Sequence, residues 1–229
     1  MKFRSITEYL ERSAKLYPDK VIFASDDRNI TYSDFVKAAR KVGSQLVEKS
    51  KVAVLIDRSV DCLIAVFGAA YANACYTVID IESPAERNKK ILSIFAPQQV
   101  ITDSRNFSMA QEICGSKVLI MEELLETEAD CQYLSDISRR MIDTDPFFVI
   151  FTSGSTGVPK GTVLCQRSLL AYIEAACDAF GIDSNVVWGN QAPFYYIMSA
   201  LDVYSTVVAG ATLYIIAKQY FSFPGLLID

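Results

Sequence analysis

Phe147-Phe-Val-Ile-Phe151 runs directly into Thr152-Ser-Gly-Ser-Thr-Gly-Val-Pro-Lys-Gly161. The first five residues are all apolar, mostly aromatic or β-branched, and predict a strand buried on both faces of a sheet. The next ten are hydroxyl residues, glycines, one proline, one valine and one lysine, so a rigid strand ends in a flexible polar loop. Gly154, Gly157 and Gly161 let the backbone turn with its N–H groups facing inward. Thr152, Ser153, Ser155 and Thr156 add hydroxyl donors, and Lys160 adds a positive charge. Donors gathered around a cation suit a polyphosphate. The spacing is not that of the mononucleotide P-loop, where Gly-Lys-Ser/Thr is contiguous, because Val158 and Pro159 separate Gly157 from Lys160. The competing reading is a glycine-rich hairpin between this strand and a second over 162–165, with Lys160 merely solvated. A hairpin needs only about two to five loop residues and no dense hydroxyl cluster.

The surrounding chain has 229 residues, 51% of them hydrophobic, enough to bury a sizeable core. Its net charge is −5 and its basic residues form no run, which gives nucleic acid and anionic membranes nothing to bind. No apolar segment approaches the ~18 residues that span a bilayer, and the first residues lead into an amphipathic helix instead of a signal peptide, so a cytoplasmic protein is expected. Six cysteines without C-x-x-C spacing read as reduced packing residues. With no histidine in the chain, Ser/His/Asp and Cys/His nucleophile systems and the usual zinc sites are excluded. Chemistry must rest on phosphate handling, lysine or carboxylates, and no metal site is expected.

Outward from the opening stretch, strands and helices alternate. Strands are expected at 51–56, 75–79, 98–102 and 117–121, with helices at 33–49, 59–74, 84–95 and 109–114 between and before them. Ser5-Ile-Thr-Glu8 predicts a capping box opening the first helix. Ser83-Pro84 predicts a hydroxyl cap for the helix at 84–95. The acidic stretch 122–145, with unbalanced charge and weak periodicity, reads as a linker. Two parts are therefore expected, an amino-terminal α/β subdomain over 1–145 and, over 146–229, the phosphate-loop strand with the start of an acyl-pocket subdomain. The fold class is α/β, a doubly wound, mostly parallel sheet with helices on both faces, and ligands belong outside the carboxyl ends of its strands.

The stretch 152–161 resembles the signature of the acyl-adenylate-forming, AMP-binding ligases, Thr-Ser-Gly-Ser/Thr-Thr-Gly-x-Pro-Lys-Gly, at every defined position. Ile30-Thr-Tyr-Ser-Asp34, 67–80 and Ile101-Thr-Asp103 also look like elements of that family. Downstream, Asn190-Gln-Ala-Pro-Phe194 looks closest to the D-alanine:carrier-protein ligase branch of the amino-acid adenylation domains, whose pattern continues Phe-Asp. Here Tyr196 stands for that phenylalanine and Ile197 for the aspartate that binds the substrate ammonium in the family.

The resemblance implies ATP and Mg²⁺ as cofactors, a carboxylic acid as substrate, and the phosphopantetheine of a carrier protein or CoA as thiol acceptor. It implies nucleotide binding by Thr152, Ser153, Gly154, Ser155, Thr156, Gly157 and Lys160, and a substrate pocket at Phe194, Tyr196 and Ile197. Ile197 points to an acid without an α-amine, unless another carboxylate such as Asp202 holds the amine. Family members run to about twice this length and carry their adenine, ribose, Mg²⁺ and second-lysine elements later. The chain is thus expected to be an amino-terminal, truncated part of a ligase, inactive alone. The alternative is a non-catalytic nucleotide-binding or assembly module that keeps the fold. The apolar run at 224–229 suggests self-association through exposed apolar surface.

Overall fold

A computed structural model describes residues 3–115, 117–152, 158–222 and Gly225. The order is α1 (Ile6–Leu16), β1 (Val21–Ala24), β2 (Asn29–Thr31), α2 (Tyr32–Ser44), β3 (Lys51–Leu55), α3 (Val60–Tyr71), β4 (Cys75–Val78), α4 (Ala85–Phe95) and β5 (Gln99–Thr102). There follow α5 (Phe107–Ile113), β6 (Lys117–Ile120), α6 (Met121–Leu125), α7 (Cys131–Arg140), β7 (Pro146–Thr152), β8 (Lys160–Cys165) and α8 (Gln166–Phe180). The described chain closes with β9 (Val187–Asn190), α9 (Met198–Ala209), β10 (Thr212–Ile215) and α10 (Lys218–Ser222).

The expected α/β class with mostly parallel strands is present, and its strands divide into two sheets. The larger runs β6-β5-β3-β4-β7-β8, parallel except for the antiparallel β7–β8 pair. The smaller runs β2-β1-β10-β9, with β1, β10 and β9 parallel and β2 antiparallel. Both sheets take strands from either side of residue 145.

Between them lies α3, and its position accounts for its sequence. Ten of its twelve residues are buried, an apolar surface all round that only an interior helix can afford. Its Phe67 packs edge-on against Phe35, with ring centroids 5.2 Å apart, and near Tyr204 on α9 at 5.9 Å. Where α3 crosses α2, Gly68 faces Gly43: a Cβ on Gly68 would stand 2.4 Å from Val42 Cγ1, so the crossing requires glycine. The outer face of the large sheet is closed by α4 and α5 through Ile91, Leu92, Phe95, Ala110 and Ile113.

Several local expectations need correction. The acidic stretch is no linker: it holds α6 and α7, and Leu134, Ile137 and Met141 are buried at helical spacing while the charges face outward. Strand β7 is buried only over Phe147, Phe148 and Val149, because it lies next to the sheet edge and β8, exposed over 160–163, forms that edge. Ser5 does cap α1, accepting from the Glu8 N–H at 3.2 Å, but the Glu8 carboxylate accepts from the Arg4 N–H at 2.7 Å instead of completing the box. Ser83 does not cap α4; its hydroxyl donates to Asp80 Oδ2 at 2.8 Å. Of the six cysteines, all free thiols, Cys62 and Cys75 are buried and Cys114 and Cys177 pack, partly buried, against the cores, whereas Cys131 is exposed and so not explained by packing.

Candidate functional site

The carboxyl end of β7 opens the site. Thr152 pairs with Lys160 in register, so the two residues close a loop of seven, and the strands on either side form an antiparallel hairpin. The hairpin of the competing reading is thus present in the pairing of β7 with β8. Residues 153–157 lie outside the described residues, which removes Ser153, Gly154, Ser155, Thr156 and Gly157 from any structural account. At the loop mouth, Thr152 and Lys160 are both exposed. None of the ion pairs among the described residues involves Lys160. Gly161 lies opposite Phe151, and a Cβ there would meet Val149 Cγ1 at 2.9 Å and the Phe151 ring at 3.1 Å. Glycine thus lets β8 lie close against the side chains of Val149 and Phe151 on β7.

The same strand reaches the second group of candidate residues. Phe148 and Ile150 line a crevice of about 20 Å³ together with Tyr76, Phe194, Tyr196 and Tyr204. Of the three pocket residues expected from sequence, two therefore meet there. Phe194 is partly buried and Tyr196 is 53% exposed at the rim. Ile197 stands outside the crevice lining, 46% exposed, immediately before α9. In the crevice wall the Tyr76 and Tyr204 hydroxyls bond each other, and burial pushes both phenols up. Beside it, Tyr195 is pushed up to about 12 by burial and by its hydrogen bond to Asp80.

Asp202 is the nearest alternative carboxylate on α9, and it faces inward. Its Oδ2 accepts from Asn190 Nδ2 at 3.0 Å, and burial holds its carboxyl above the ordinary range. Arg58, at the end of β3, was not singled out by sequence; Asp57-Arg58-Ser59 reads as an ordinary polar turn. Its guanidinium nevertheless donates to backbone carbonyls of Asn190, Gln191 and Ile216.

Larger hollows lie elsewhere, among them one of about 330 Å³ beside Leu92, Ala96 and Cys114. Another of about 390 Å³ sits on the outer face of β7 and β8 beside Lys49, Lys51, Ile94 and Phe95, and one of about 880 Å³ lies between α1 and α7. None of these includes residues 194–197. Among the described residues no three His, Cys, Asp or Glu side chains gather as a metal cage, whereas Mg²⁺ at a nucleotide is held by one or two carboxylates together with the phosphates themselves. No helix among the described residues is long and apolar enough to cross a membrane.

A family model described as AMP-binding enzyme matches residues 10–229. Tyrocidine synthase 1 of Brevibacillus parabrevis is 28% identical over 223 residues, covering 94% of this chain and 20% of that protein. D-alanine--D-alanyl carrier protein ligase of Bacillus licheniformis is 26% identical over 229 residues, covering 98% of this chain and 45% of that protein. Among solved structures, the Klebsiella oxytoca NpsA N-terminal subdomain in complex with 3-hydroxyanthranilyl-AMSN superposes with a TM-score of 0.78 at 21% identity, covering 94% of this chain and 54% of that one. VinN gives 0.81 at 13% identity, with 93% of this chain and 59% of that chain covered. The chain spans less than half the length of these two curated relatives.

Proposed function

The chain belongs to the AMP-binding enzyme family, and on that footing we propose that it supplies the phosphate loop and part of the acid pocket of an ATP-dependent carboxylate-activating ligase. The observation that carries this reading is the double use of β7. The strand delivers the hydroxyl- and glycine-rich loop at its carboxyl end and, through Phe148 and Ile150, lines the crevice that Phe194 and Tyr196 complete. A nucleotide phosphate and an acid group held at those two places would lie on one rigid element, which is how a site lowers the entropic cost of bringing two substrates together.

In the proposed reaction a carboxylate oxygen attacks the α-phosphorus of ATP. The new O–P bond forms as the bond to the bridging oxygen breaks, and pyrophosphate leaves with the electron pair. The loop donors and Lys160 offset charge on the departing β- and γ-phosphates, the electrostatic share of the work. No step is assigned to a metal. The thiol sulfur of carrier-protein phosphopantetheine or CoA then attacks the acyl carbonyl carbon, and the C–S bond forms as the carbon–oxygen bond to the phosphate breaks, AMP leaving with the electron pair and the thiol proton passing to solvent. Ile197, where the D-alanine branch has its ammonium-binding aspartate, favours an acid without an α-amine. Asp202, the other carboxylate considered, is half-buried, and its Oδ2 accepts from Asn190 Nδ2.

Calorimetric titration of pyrophosphate into the chain tests the phosphate loop. Hydroxyl and backbone donors with one lysine should bind at about millimolar Kd, roughly 4 kcal/mol, once ordering costs are subtracted. Lys160→Ala should weaken that about tenfold by removing a charge-assisted contact. Equal affinity in both proteins would remove Lys160 from the site. Acid-dependent exchange of labelled pyrophosphate into ATP by the full-length protein tests the reaction itself.

A further inference from the structure

Arg58 leaves the large sheet at the carboxyl end of β3 and ends on the small one. Its Nη1 donates to the carbonyl of Asn190 at 3.3 Å and to that of Gln191, and Nη2 donates to the carbonyl of Ile216. These carbonyls lie at the carboxyl ends of β9 and β10. Nη1 also lies 3.5 Å from Asn190 Oδ1, while Asn190 Nδ2 donates to Asp202 Oδ2 at 3.0 Å. The side chain of Asn190 is fully buried, and its carbonyl additionally accepts from the Ile216 N–H at 3.1 Å. No carboxylate among the described residues pairs with Arg58, although burial disfavours its charge. A half-buried cation is retained here to hold backbone.

The position of that backbone gives the arrangement its meaning. Asn190, the last residue of β9, immediately precedes segment 191–197, which carries Phe194, Tyr196 and Ile197, and Asp202 lies one turn into the helix that follows it. We propose that Arg58, Asn190 and Asp202 form a positioning chain that fixes segment 191–197, the connection between β9 and α9, against the large sheet bearing the phosphate loop. The proposal rests on the acid-pocket reading above for its consequence, though its geometry stands apart from it. Arginine is required because its planar fork reaches carbonyls on two neighbouring strands at once, which a lysine's point charge does not. A loosened segment would misplace the acid relative to the phosphate while leaving the phosphate loop untouched.

The test compares wild type, Arg58→Gln and Arg58→Lys by hydrogen exchange resolved over 191–197 and by acid and ATP KM in pyrophosphate exchange, using the full-length protein. In Arg58→Gln, amides of 191–197 should exchange about tenfold faster while those of β5, remote in the large sheet, keep their rate. Acid KM should rise about tenfold with ATP KM held within about twofold. Arg58→Lys should fall between. Wild-type exchange over 191–197 in Arg58→Gln overturns the proposal, and so does equal acceleration in β5, which would mark general loosening. Local acceleration with unmoved acid KM upholds the positioning chain and refutes the acid pocket at this segment. If Arg58→Gln does not fold, Arg58→Lys decides: local acceleration supports the chain and its absence overturns it.

Discussion

Replacing Ile197 with aspartate should convert the proposed acid site toward amino acids, and the structure sets how far. A carboxylate paired with a substrate ammonium in a dry site is worth a great deal, since breaking one side of a buried pair costs roughly 3–5 kcal/mol. An exposed pair returns only about 0–1 kcal/mol. Ile197 is 46% exposed, so the larger figure does not apply here. An intermediate gain of roughly 1–2 kcal/mol is expected, or about 5–30-fold in relative affinity. The substitution itself should be tolerated, because position 197 immediately precedes the twelve-residue helix α9, whose N-terminal dipole favours a negative charge by about 0.3–1 kcal/mol. The assay is pyrophosphate exchange by the full-length protein with pairs of acids that differ only in the α-amine. Wild type should prefer the des-amino member, and Ile197→Asp should shift the ratio toward the amino acid by the stated factor. A wild type that prefers the amino acid, or a variant whose ratio does not move, refutes the assignment of selectivity to this position.

Asp202 gives a pH prediction. Burial raises its folded-state pKa, so the fold favours its protonated form; that contribution is fully present below the unfolded carboxylate pKa and is lost as pH rises through the folded value. Asparagine keeps an acceptor for Asn190 and is neutral throughout, so the Tm of Asp202→Asn minus that of wild type should grow from mildly acidic to neutral pH; a flat or shrinking difference would contradict the burial argument. Ile137→Ala, at 1% exposure on α7, should cost about 2–4 kcal/mol, or several degrees in Tm, whereas a true linker would lose nothing measurable.

Elements with a strong local period are legible from residue order alone. Each strand from β3 to β6 carries two or more consecutive apolar residues, and α3 betrays its interior position by being apolar on nearly every side. The second sheet is not legible, because the pairing of Phe23 with Leu213 joins distant segments whose own periodicity says nothing about partners. Segment 131–140 resembles a linker for a different reason: its outward charges outnumber the buried Leu134 and Ile137. At the site, the loop at 152–161 is legible from composition. Arg58 is not, since a single cation in a polar turn looks solvated until the carbonyls it reaches are in view.

The Phe23–Leu213 pairing also bears on how the chain is made. Strand β1 leaves the ribosome early with only β2 beside it, and its parallel neighbour β10 is still about 190 residues from being synthesised, an interval of roughly 10–40 s at ordinary elongation rates. Throughout that time Ile22 and Phe23, fully buried in the finished protein, lack the neighbour that completes their cover. The small sheet is therefore a late product of translation, and the nascent chain carries an unfinished apolar strand that chaperones have time to engage.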